Sequence, residues 1–213
     1  MRQRARWLGL ALASLVAAVL AYAVLVHTRP GQLLDAEVWS AILDSTPTPI
    51  AEALAALARP LIFYVLVPLV ATLVLLALAR GRWAAAMAAT LVAATPTPAA
   101  LYLRENVLTR PDLGVRGYDH NTFPSTHAAA AFGLLVALIL VWPGPVDRRD
   151  AGRVAFVAAL VLLGNVTSYA HRPADVLGSL LLVGAVAFLA VAALGFRPAT
   201  PRRPRVRQRS VPT

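Results

Sequence analysis

HRPADVLGSLLLVGAVAFLAVAALGF, residues 171–196, sets a histidine, an arginine and a proline directly before an unbroken apolar run. A helix needs roughly 20 such residues to cross the hydrocarbon core of a bilayer, and Ala174 to Phe196 supplies them with Asp175 as the only charge. Proline suits the first helical position, and a carboxylate in the first turn meets the positive end of the helix. A membrane helix is therefore predicted to start beside His171. Working outward, five further runs read the same way: Trp7 to His27, Pro60 to Ala79, Trp83 to Tyr102, Thr126 to Trp142 and Val154 to Ala170. The third carries Thr95-Pro96-Thr97-Pro98, which removes two backbone donors and should kink the helix near its end. The predicted fold is all-α, a polytopic bundle of six transmembrane helices.

Composition agrees. Hydrophobic residues make up 59% of 213 positions and charged residues only 14%, too apolar for an ordinary soluble domain of this size. There is no cysteine, so disulfides and thiolate chemistry are excluded. All 20 basic residues are arginine and the net charge is +10, which in a soluble chain would suggest nucleic acid. Their placement argues against that partner. Fourteen lie in Met1 to Arg6, Arg80 to Arg82, Pro143 to Arg153 and the tail after Phe196, and arginine favours the cytoplasmic side. Both termini are thus expected inside, with Thr28 to Arg59, Arg104 to Phe123 and the turn at His171 outside. A bacterial inner membrane suits this compact, arginine-biased chain.

The expected organisation is one six-span domain over residues 1–197 and a basic tail over 198–213. The tail is rich in arginine and proline with few apolar residues, so it is expected to be disordered and to touch anionic lipid. A second reading of the first run is a secretory leader, with Arg2, Arg4 and Arg6 before an apolar stretch and Ala21-Tyr22-Ala23 resembling a cleavage site. The run is long for a leader, and its removal would leave an odd number of crossings.

This topology brings the chemistry-bearing side chains to one face. His127 and His171 are separated by one inward and one outward crossing, and Arg104, Arg110 and Arg172 lie on the same side. Such a cationic cluster at a membrane surface calls for a strong anion. Ser125 is placed to cap the fourth span, whose N-terminal N–H groups could then hold phosphate. His171 and Asp175 stand four residues apart, a spacing that lets the carboxylate orient one imidazole nitrogen while the other attacks. Structural readings compete at each position: Ser125 and Asp175 as caps, His127 and Arg172 as interface anchors. His120, His127, His171, Asp119 and Asp175 are conceivable metal ligands, but no H-x-x-x-H or H-E-x-x-H spacing is present and the arginines would repel a cation. No metal or other cofactor is expected.

In order, Arg104 to Arg110-Pro111, Pro124-Ser125-Thr126-His127 and His171-x-x-x-Asp175 resemble the type-2 phosphatidic acid phosphatase family, whose motifs are written K-x6-R-P, P-S-G-H and S-R-x5-H-x3-D. The resemblance implies that His171 is a nucleophile toward phosphorus, that Asp175 orients it and that His127 protonates the leaving oxygen. It also implies that Arg104, Arg110 and Ser125 hold phosphate oxygens, with Thr126 in the glycine position beside them, and that a lipid phosphate is the substrate without need of metal. Four features depart from the pattern. Arg104 replaces lysine one residue closer to its partner, Thr126 replaces glycine, Asn165 with Gly164 stands where the family has arginine with serine, and Asp119 and His120 have no family role. Arg172 is the candidate to replace the missing arginine. Two rivals follow: a catalytically silent relative that binds a lipid headgroup, and a transporter or flippase, which would place its polar groups nearer the midplane.

Overall fold

The computed structural model describes residues 2–115 and 120–195, apart from the Arg59 side chain. Nine α-helices occur among them and no strands. α1 (Arg2–Ala21) runs into a π turn, Tyr22–Val26, and is followed by α2 (Arg29–Ser45) and α3 (Thr48–Pro60). α3 continues through a second π turn, Leu61–Leu66, into α4 (Val67–Ala79). Then come α5 (Trp83–Ala94), α6 (Pro96–Tyr102) with a π turn at Leu103–Val107, α7 (Thr126–Val141), α8 (Arg148–Thr167) and α9 (Pro173–Leu194). The expected tail and Asp119 lie outside the described residues.

Local chemistry sets these limits. Asp147 and Asp150 form a capping box that starts α8 six residues before the predicted Val154. Pro173 opens α9, and Gly195 closes it in the left-handed region at φ 62. Pro96 and Pro98 separate α5 from α6 at Thr95, where the sequence predicts the kink. Thr28 caps α2 by accepting from Gly31 N at 3.0 Å, and Gly31 packs so tightly on the Val24 backbone that a side chain has no room there.

Five helical stretches are long and apolar enough to cross a membrane: Arg2–Val26, Leu61–Ala79, Trp83–Val107, Arg148–Thr167 and Pro173–Leu194. The fourth predicted span, α7, has 16 residues, about 24 Å of helix. It is the centre of the bundle: Ala128, Ala131, Phe132, Leu135, Ala137, Leu140 and Val141 are all buried, with α5, α6, α9, α4 and α8 around it. Arg82 closes its far end, donating to Val141 O and Trp142 O at 3.1 Å each, as a cation at a helix C-terminus should. Outward surfaces carry large apolar side chains, among them Leu12, Val19, Leu75, Phe156 and Leu189, a surface that suits lipid rather than water.

Polar burial is confined to one end. Gln32, Asp35, Ser125, Asn165, Thr167, His171, Arg172, Asp175 and Ser179 are buried among the described residues, and they sit at the start of α2, α7 and α9 or at the end of α8.

Candidate active site

The site is assembled where α7 and α9 begin. Ser125 N donates to Asp175 O at 3.2 Å, and Ser179 Oγ donates to Ser125 O at 2.8 Å. These two bonds tie the second motif to the first turns of α9. Ser125 Oγ accepts from Ala128 N at 3.2 Å, so the serine caps α7, and Thr126 and His127 occupy the first turn. The imidazole centroids of His127 and His171 are 6.3 Å apart, although 44 residues separate them in the chain.

Asp175 lies behind His171. Its Oδ2 is 3.7 Å from His171 Nδ1, within ion-pair reach but longer than a hydrogen bond, and a closure of about 0.7 Å would form one. Catalytic hydrogen bonds are often this long before substrate arrives. With Nδ1 turned to the carboxylate, Nε2 is the nitrogen left to react. Other donors fix the carboxylate: Arg110 Nη2 to Oδ1 at 2.5 Å, Thr122 Oγ1 to Oδ2 at 2.6 Å and Arg172 N to Oδ2 at 2.9 Å. The Arg110 and Asp175 side chains are 1% and 0% exposed. Five N–H groups on a guanidinium allow it to serve this carboxylate and an anion together.

Two further arginines have contacts of their own. The Arg172 guanidinium stands 3.6 Å above the Trp39 ring of α2, a cation–π contact. The Arg104 side chain pairs with Glu105 at 2.8 Å and lines a polar cavity of about 460 Å³ with His120, Asn121 and Thr122. Ala170 borders that cavity and also one of about 520 Å³ lined by His127, Asn165 and Ser168. No group of three or more His, Asp or Glu that could hold a metal occurs among the described residues.

Asn165, at the family's arginine position, is buried and donates to Val161 O at 2.8 Å. Beside it, Gly164 has a packing reason. A Cβ there would come within 2.6 Å of Leu54 O and 2.8 Å of Ala58 Cβ, so the family's serine has no room where α3 crosses α8. Gly164→Ser is therefore expected to lower stability by about 1–3 kcal/mol, read as a drop in melting temperature in detergent.

Sequence reasoning missed a brace formed by α1 and α2. Tyr22 OH accepts from Thr109 N at 2.8 Å and donates to Thr109 O at 2.7 Å. His27 Nε2 donates to the same carbonyl at 3.0 Å. Gln32 Nε2 donates to Pro111 O at 3.0 Å, so both neighbours of Arg110 are pinned. Asp35 Oδ1 accepts from Ala174 N at 2.8 Å, which anchors the first turn of α9. Thr122 was also missed. Nothing in its sequence setting marks it, whereas Thr28-Arg29-Pro30 is a legible helix start that leads to Gln32 and Asp35.

Comparisons with curated proteins and with solved structures give no match. The sequence profile of the PAP2 superfamily matches residues 5–198, which takes in nearly all of α1, every later helix and all three motif segments. A match over that much of the chain, together with a fold that gathers the motif residues at one end of a helical bundle, shows that this protein belongs to the PAP2 superfamily and has the phosphatase-like function that membership supports.

Proposed function

We propose that the protein is a metal-independent membrane phosphatase that hydrolyses a lipid phosphate or isoprenyl diphosphate through a phosphohistidine. The observation that carries this reading is the 6.3 Å pairing of His127 with His171, with Asp175 behind the second ring. His171 Nε2 attacks phosphorus in line. The P–O bond to the leaving group breaks, and His127 gives that oxygen its proton. His127 then takes a proton from water, whose oxygen attacks the phosphohistidine; the N–P bond breaks and inorganic phosphate leaves. Asp175 stabilises the positive imidazole. Arg104, Arg110, Thr126 and the N-terminus of α7 at Ser125 bind the phosphate oxygens, while Arg172 adds positive charge from its stack on Trp39.

The arginine distribution supports a multi-pass placement in a bacterial inner membrane, with both termini cytoplasmic, α7 counted as the fourth of six crossings and the site extracytoplasmic. The test is phosphate release from a panel of lipid phosphates by detergent-purified protein, with mass-spectrometric identification of products. Rates for wild type equal to those of His171→Ala would overturn the reading.

One observation favours a second reading, a silent relative that binds the headgroup: Asn165 occupies the family's arginine position beside His127. A preorganised donor is worth about 10²- to 10³-fold in rate. Asn165→Arg is accordingly expected to raise phosphate release by about that factor. An inactive wild type made active by this change would establish the silent relative.

A further inference from the structure

The cavity beside His127 adjoins others along α8. Ala58 and Pro60 border it and also a second cavity of about 310 Å³, faced by Leu160 and Val161. Leu61 and Val65 border that one and a third of about 300 Å³, which reaches Val157, Val154 and Arg153. On α8 and its C-cap Ser168 the lining positions include 153, 157, 161, 164 and 168, spaced three or four residues apart, so they share one face of the helix. Polarity is graded along this strip: His127, Asn165 and Ser168 line the first cavity, the second is apolar but for Tyr64, and charge returns only at Asp150 and Arg153. The opposite wall is distorted at the junction, where Pro60 precedes the π turn Leu61–Leu66. Such turns inside helices often mark functional sites.

We propose that this strip of α8 is a tail subsite, occupied by one hydrocarbon chain of the lipid whose phosphate reacts at His171; the assignment rests on the phosphatase reading above. An amphiphile fits the gradient in one orientation, phosphate at His127 and tail toward Arg153. Length selects the chain. Ser168 to Arg153 spans about 22 Å at 1.5 Å per residue, whereas one leaflet of a core about 30 Å thick offers about 15 Å. Chains that end at the midplane leave the far cavity empty. The strip therefore favours a single chain longer than one leaflet.

A lipid phosphate with a diazirine at the far end of a long single chain, bound to His171→Ala and photolysed, reads the subsite without turnover. Label is expected on peptides containing Val154 to Val161 or Leu61 to Leu69. Label on α1 and α9, or spread evenly over all lipid-facing helices, would overturn the proposal. In a parallel assay with wild type, Val154→Trp, which fills the far cavity alone, is expected to lower the ratio of kcat/KM for undecaprenyl over farnesyl phosphate by about tenfold, the scale of overpacking. Phe156→Trp, outside the three cavities, is expected to leave that ratio unchanged, and an equal fall in both variants would also overturn the proposal. Label on α8 without phosphate release from any protein would retain the subsite and reject the phosphatase reading.

Discussion

His171→Ala is expected to lower phosphate release by about 10⁴- to 10⁶-fold, the scale on which removing an enzyme's nucleophile acts. No second imidazole can take its place. In the proposed mechanism His127 serves the leaving oxygen, and Asp175 is hydrogen-bonded to Arg110, Thr122 and the Arg172 backbone. The fold should tolerate the change, because the residues around position 171 are held by Asp175 and Asp35 rather than by the imidazole. Melting in detergent close to wild type, with release at the uncatalysed rate, is the expected combination; activity within tenfold of wild type, about 1.4 kcal/mol, would contradict the assigned role.

Asp175→Ala is expected to damage both fold and chemistry. It leaves the buried Arg110 guanidinium without its carboxylate, and breaking one side of such a pair costs about 3–5 kcal/mol. Thr122 and the Arg172 N–H lose an acceptor at the same time, which adds a desolvation cost. Loss of the group that orients the base is worth about 10⁴-fold in rate where it has been measured in hydrolytic triads. The effect on the fold is read by itself in the double variant Arg110→Met with Asp175→Leu, which also removes a proposed phosphate ligand. Replacing a buried pair by apolar residues of similar size is often near neutral, so melting should recover in part while activity stays lost. Recovery of activity with stability would make Asp175 a structural counter-ion alone. The measurements are the melting temperature in detergent and the rate of phosphate release.

The sequence was most legible where local rules act. Ser125 as a cap, Pro173 with Asp175 at the opening of α9, and the break at Thr95 each follow from one or two residues and their backbone demands. The approach of His127 to His171 was legible through topology, since one pair of crossings returns the chain to its starting face. Longer-range partnerships were not. Tyr22 with Thr109, Gln32 with Pro111 and Asp35 with Ala174 join positions 79 to 139 residues apart, and no spacing rule reaches that far. Arg104 and Glu105 resemble loop residues, yet the helical path continues through them to Val107. The role of Arg110 was read from its place in the first motif, and that of Arg172 from its charge beside His171. Whether a guanidinium faces phosphate, carboxylate or indole depends on what packs beside it, and the structure sets Arg110 on Asp175 and Arg172 on Trp39.

Rapid-quench trapping with a radiolabelled lipid phosphate tests most directly whether the two imidazoles act on one phosphorus. Base-stable, acid-labile label is predicted on His171 of the wild type, more of it in His127→Ala, where water is no longer activated, and none in His171→Ala. Phosphate release without any labelled histidine, or with the label on another residue, would contradict the account.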